Sequence, residues 1–78
     1  MYLITYDIRE EKRLRKAALV LKKYGKRVQK SVFECEINEK KHEQLWNDLS
    51  AFCNGDDHIL SYFLPASFRK KELNRKKL

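Results

Sequence analysis

The sequence predicts an α+β fold in which two helices cover one face of an antiparallel sheet. Three observations predict it. The chain opens on a period-two alternation, it carries two separate stripes of apolar residues at helical spacing, and extended runs rich in valine and phenylalanine lie between and after those stripes. With 78 residues there is material for one domain and one small core. A second copy covering apolar surface would supply what so small a core lacks.

Residues 2–8 put Tyr2, Ile4, Tyr6 and Ile8 on one face and Leu3, Thr5 and Asp7 on the other, the signature of a strand. Glu10 and Glu11 follow, where the first turn of a helix favours negative charge. Leu14, Ala17, Ala18 and Leu21 then recur at i, i+3, i+4 and i+7; Leu19 and Val20 widen the stripe, and Gly25 is the expected C-terminal stop. Residues 27–37 read as extended chain, with Phe33, Cys35 and Ile37 on one face and Val32, Glu34 and Glu36 on the other. One strand, and two strands joined by a kink at Lys30 and Ser31, both satisfy that pattern. Asn38 is a good N-cap for a second helix, whose stripe of His42, Leu45, Trp46, Leu49, Phe52 and Cys53 stops at Asn54 and Gly55. Residues 59–64 form the last strand. Pro65 ends its capacity to pair centrally, and the chain to Phe68 has room for an additional C-terminal edge strand.

Strand, helix, one or two strands, helix, strand is the order of a ferredoxin-like βαββαβ unit, here residues 1–68, with residues 69–78 as a basic C-terminal tail. Both helices on one side leave the other sheet face bare. The last strand is apolar on both faces, through Ile59 and Phe63 against Leu60, Tyr62 and Leu64, so the bare face is expected to be partly apolar, and an exposed apolar sheet is commonly closed by a second copy around a two-fold axis. A homodimer is therefore expected.

The net charge of +7 is segregated along the chain. Lys12, Arg13, Arg15, Lys16, Lys22, Lys23, Lys26, Arg27 and Lys30 run without an intervening acid. Residues 31–68 instead set Glu34, Glu36, Glu39, Glu43, Asp48, Asp56 and Asp57 against Lys40 and Lys41. Segregated positive charge suits a polyanion, because neutralised phosphates release condensed counterions whatever their sequence. Arg13, Arg15, Lys16, Arg27 and Lys30 are the candidate nucleic-acid contacts. Arg27 among them has the planar fork of a phosphate clamp, although an ordinary solvated helix face produces the same pattern.

Other classes of site are excluded or weak. Cys35 and Cys53 are too few for a disulfide framework and fit buried, reduced thiols. No signal peptide is expected, and no apolar run approaches the ~20 residues of a membrane span, so the expected location is cytoplasmic. Gly25 and Gly55 cannot make a glycine-rich phosphate loop, and the aromatic signature of an RNA-recognition motif is missing. His42 and His58 lack partners at metal-ligand spacing and are expected at the surface or on a helix flank.

Asp7 ends the first strand on the bare face. A two-fold axis nearby would bring two copies together, and paired carboxylates repel unless a proton or a cation sits between them. Oxygen ligands of this kind suit Mg²⁺ or Mn²⁺, which would activate water and stabilise charge developing on a phosphodiester. A plain cap on the turn into the first helix is the ordinary role of a lone aspartate after a strand.

Tyr6-Asp7-Ile8, Lys12-Arg13, Tyr24-Gly25, Arg27-Val28-Gln29 and Ser31-Val32-Phe33-Glu34, in this order and spacing, resemble the Cas-two family of CRISPR-associated proteins. The resemblance runs over residues 2–36 and beyond them is carried by pattern and length. It implies a ferredoxin-like homodimer in which Asp7 is the catalytic metal ligand, Tyr6 supports it, and Arg27 and Phe33 handle substrate or shape the site. It also implies metal-dependent endonuclease activity on RNA or DNA, and a scaffold that bridges copies of the CRISPR integrase during spacer acquisition. Lys30 stands where an aromatic is frequent in the family, and residues 56–68 lack its usual wording. Two alternatives remain open. One is a nucleic-acid-binding scaffold that cleaves nothing, since one acid per subunit is sparse equipment for hydrolysis; the other is a toxin-like ribonuclease of the virulence-associated type.

Overall fold

The strands and helices follow the alternations almost residue by residue. The structure, a computed structural model, describes residues 1–69 and 71. In chain order the elements are β1 (Tyr2–Asp7), α1 (Glu11–Lys22), β2 (Lys26–Gln29), β3 (Val32–Cys35), α2 (Glu39–Ser50) and β4 (His58–Phe63). The four strands form one antiparallel sheet in the order β2-β3-β1-β4. Ile4, Tyr6, Phe33 and Cys35 turn inward from the sheet to meet Ala17 and Leu21 of α1 and Leu45 and Leu49 of α2, and this is the core.

α1 begins at Glu10, whose carboxylate accepts from the backbone N–H groups of Arg13 at 2.9 Å and Lys12 at 3.2 Å. Those are two of the donors that a helix start leaves unpaired. Leu19 does not widen the apolar stripe: it is 62% exposed. Two residues from both Ala17 and Leu21, it is turned about 200° around the helix axis from each. Gly25 also differs from its expected role. No glycine has positive φ, and the helix closes on right-handed Lys23. What requires glycine is proximity, because a Cβ at position 25 would collide with the Glu34 carbonyl oxygen and lie 2.5 Å from Cys35 Sγ.

Residues 27–37 resolve into two strands. Lys30 and Ser31 join them as a hairpin, and a register shift between Arg27↔Phe33 and Gln29↔Val32 leaves Val28 as the extra residue of a bulge. α2 starts on Asn38, whose side-chain oxygen accepts from Lys41 N at 2.8 Å. It ends at Ser50, earlier than the stripe suggests. Phe52 N and Cys53 N still donate to the Leu49 carbonyl, at 3.3 and 3.1 Å, which keeps both side chains packed on the core.

Beyond β4, Leu64 and Met1 exchange backbone hydrogen bonds of 2.8 and 3.2 Å, extending the ladder by one step. Pro65 then has no N–H to continue it, and Phe68 N bonds back to the Pro65 carbonyl at 2.9 Å. The expected edge strand is thus a turn within this chain. Of the basic tail at 69–78, Arg69 and Lys71 are among the described residues and the rest lies outside them. The sheet face away from the helices keeps its apolar character, with Leu60 43% and Tyr62 49% exposed.

Candidate active site and basic surface

Asp7 closes β1 on the uncovered face, exposed, with His58 as its register partner across the β1–β4 ladder. It does not cap α1, since Glu10 does that. On its other side the Tyr6 N–H donates to the Ser31 carbonyl at 3.2 Å, so the Lys30–Ser31 hairpin turn flanks the same end of the sheet. Asp7 therefore stands between a basic turn and a histidine, with Leu60 and Tyr62 further along the same face.

Tyr6 is on the opposite side. Neighbouring strand residues point to opposite faces, so the Tyr6 ring is buried under the helices while Asp7 faces out. Its hydroxyl donates to the Lys30 carbonyl at 3.3 Å and accepts from Arg27 Nη2 at 3.5 Å. Arg27 lies over the Phe33 ring, 5.4 Å from its centroid. Tyr6, Arg27, Lys30 and Phe33 are thus one cluster at the hairpin, with Phe33 wholly buried. Any support Tyr6 gives to Asp7 passes through the strand and hairpin backbone and not through its hydroxyl.

The basic residues of α1 divide by task. Arg13 donates from Nε to Asp57 Oδ2 at 2.8 Å and from Nη2 to Oδ1 at 3.3 Å, and the Asp57 side chain is only 1% exposed. Asn54 N adds a third donor at 3.0 Å. The Arg13 fork and that backbone N–H hold the Asp57 carboxyl below its ordinary pKa, and Asp57 in turn raises that of Arg13. Arg13 is thereby committed to pinning the α2–β4 turn onto α1, and it has little left for a phosphate. Arg15, by contrast, is 72% exposed and meets Glu11 at 3.5 Å, a loose surface pair that competes weakly with a phosphate. Lys16 sits 5.1 Å from the Phe52 ring centroid with its side chain in an exposed position.

Among the described residues no three His, Cys, Asp or Glu side chains gather as a metal site. One chain offers the Asp7 carboxylate with His58 opposite, far short of the six or more ligands a hard cation collects. The donor chemistry suits a divalent cation, but one chain does not close a cage around it. The thiols are no alternative: burial pushes the Cys35 pKa up to about 11 and raises that of Cys53.

The surroundings of one histidine escape sequence reasoning. His42 stacks on Tyr2 with centroids 3.9 Å apart, lies 5.7 Å from Trp46, and has Nε2 2.7 Å from Ser61 Oγ. It ties α2 to β1 and β4. Its one sequence signal is its place on the apolar stripe of α2.

Fold and site together define a ferredoxin-like domain with a strand-end carboxylate on its open sheet face. The family model for CRISPR associated protein Cas2 matches residues 1–72, and the chain belongs to that family. That membership displaces the toxin-like alternative. The chain is 39% identical over 72 residues to a CRISPR-associated endoribonuclease Cas2 of Chloroflexus aurantiacus, covering 90% of this chain and 77% of that protein. Against another protein of that description, from Moorella thermoacetica, identity is 60% over 48 residues, 55% of this chain and 50% of the relative. The aligned region thus spans half that relative's length. The crystal structure of Streptococcus pyogenes Cas2 superposes with a TM-score of 0.82 at 33% identity, over 94% of this chain and 98% of that one. Among the described residues no helix is long and apolar enough to cross a membrane.

Proposed function

We propose that this chain is a CRISPR-associated endonuclease that hydrolyses RNA or DNA phosphodiesters as a homodimer in the cytoplasm, and serves with the integrase as a scaffold in spacer acquisition. One observation carries the reading: Asp7 stands exposed and without a partner among the described residues at the end of β1, on the apolar sheet face the helices leave bare. Two copies meeting through Leu60 and Tyr62 would set two such carboxylates near the axis. The name endoribonuclease, carried by both relatives, supports cleavage.

The dimer would hold Mg²⁺ or Mn²⁺ between its Asp7 carboxylates; when bound, such an ion supplies Lewis-acid stabilisation of the scissile phosphate and a more acidic water. The remaining tasks belong to the protein. Arg15, Lys16 and Lys30 draw in and hold the phosphate backbone, Arg27 fixes the hairpin beside Asp7, and Tyr6 anchors that hairpin to β1. A second reading, a scaffold that binds without cutting, is favoured by the single carboxylate each chain contributes.

Asp7→Asn decides between them. Cleavage of labelled RNA and DNA in the presence of Mg²⁺ or Mn²⁺ should disappear, while binding of the same oligonucleotides changes little. Undiminished cleavage by a nuclease-free preparation of the variant would reject the enzymatic role.

A further inference from the structure

We propose that His58 is a second metal ligand, so that each chain contributes a carboxylate and an imidazole. The site would then take a first-row transition ion such as Mn²⁺ or Co²⁺ in preference to Mg²⁺. This rests on the reading that Asp7 holds a divalent cation. Asp7 and His58 are directly opposed at the end of the β1–β4 ladder. Opposed residues leave the same face with Cβ atoms about 4.5–5.5 Å apart, a gap that one ion spans with a metal–oxygen and a metal–nitrogen bond of about 2.1 Å each. Both residues are exposed, and neither side chain has a hydrogen-bond or ion-pair partner among the described residues.

The acid next to His58 in the chain is committed elsewhere. Asp57, next to His58 in the chain, has its carboxylate filled by the Arg13 fork and Asn54 N–H and is almost wholly buried, so it offers no oxygen to the open face. The same clamp fixes the backbone entering β4 and delivers His58 at a defined place beside Asp7 and not at the tip of a free loop. An all-oxygen set would suit Mg²⁺, which demands octahedral oxygens and keeps its waters. Imidazole moves the balance along the first-row series, where Co²⁺ binds more tightly than Mn²⁺ at a given nitrogen and oxygen site. Two copies would present two carboxylates and two imidazoles, and an octahedral ion would keep two positions for water or phosphate oxygen.

The test is metal binding to the full chain, read without catalysis. Co²⁺ titrations followed by visible absorption, and Mn²⁺ and Mg²⁺ titrations by calorimetry, are run on wild type, His58→Gln and Asp7→Asn, each checked for dimer mass by sedimentation. His58→Gln should weaken Co²⁺ and Mn²⁺ by about tenfold or more, the scale on which even losing an outer partner of a metal site acts. It should reduce the Co²⁺ spectral shift while leaving Mg²⁺ affinity close to wild type. Asp7→Asn should weaken all three ions. Wild-type Co²⁺ affinity and spectrum in His58→Gln, with binding lost in Asp7→Asn, would overturn the role of His58 and leave that of Asp7 standing. Wild-type binding in both variants, or none in the wild-type dimer, would overturn the Asp7 site and His58 with it.

Discussion

Arg13 reaches across from the first turn of α1 to grip Asp57 with both arms of its guanidinium, 2.8 and 3.3 Å from the two carboxylate oxygens. The contact joins elements 44 residues apart and sets the entry into β4, where His58 faces Asp7. Removing one partner of such a pair leaves the other's charge uncompensated, and Asp57→Asn leaves the Arg13 guanidinium facing a neutral amide. Asp57→Asn should therefore lower the thermal midpoint at neutral pH. Because folding depresses the Asp57 pKa, its stabilisation is complete above the ordinary carboxylate value and is lost as pH falls through the lower folded one. Thermal melts across the acid range should show the gap between wild type and Asp57→Asn closing as pH drops there. A gap independent of pH would mean that the pair contributes packing and not charge.

The same ion pair separates Arg13 from its neighbours in nucleic-acid binding. Arg15→Ala, Lys16→Ala and Lys30→Ala should each weaken binding to unrelated sequences alike and reduce the salt slope by about one unit for every phosphate that is no longer neutralised. Arg13→Ala should cost stability and leave the slope nearly unchanged. Fluorescence anisotropy at several salt concentrations measures both. Equal reductions in slope for Arg13 and Arg15 would show that nucleic acid displaces Asp57 from Arg13.

Gly25→Ala tests the close approach of the α1 exit to β3. The added methyl meets backbone and the buried Cys35 sulfur and not the tip of a flexible side chain. Overpacking of this kind costs about 1–3 kcal/mol. Urea denaturation should show the midpoint falling with the m-value unchanged. A gain in stability would mean that the glycine serves only chain flexibility.

The fold is legible because its signals are local. Period-two alternation in residues 2–8 and the stripe through Leu45 and Leu49 each name a face without knowledge of any other element. What stays hidden depends on pairs distant in sequence. The basic run marks Arg13 as a phosphate ligand, and only the fold brings Asp57 against it. Tyr6 and Asp7 read as a unit in the chain, yet strand geometry sends them to opposite faces. His58 looks isolated in the sequence because its neighbour Asp7 is reached through sheet register and not through spacing. Gly25 does mark the helix exit, but through close packing and not through the left-handed conformation its residue type suggests.

The bare sheet face carries the last prediction. Leu60 and Tyr62 project from β4 opposite Thr5 and Leu3, on the side that no helix covers. A charge on this patch leaves the helix-facing core intact, since Ile4, Tyr6 and Phe33 point the other way. In a two-fold interface it would be buried once from each copy, placing like charges close to one another. Leu60→Asp should therefore turn a dimer into a monomer in sedimentation velocity at micromolar concentration, with a far-UV circular dichroism spectrum like the wild type's. Cleavage should fall with the dimer if the proposed site is right, because a monomer brings one Asp7 where that proposal needs two. A Leu60→Asp protein that remains dimeric would place the interface elsewhere and remove the reason for the two carboxylates to meet. A monomer that still cleaves at the wild-type rate would assign the chemistry to one chain alone.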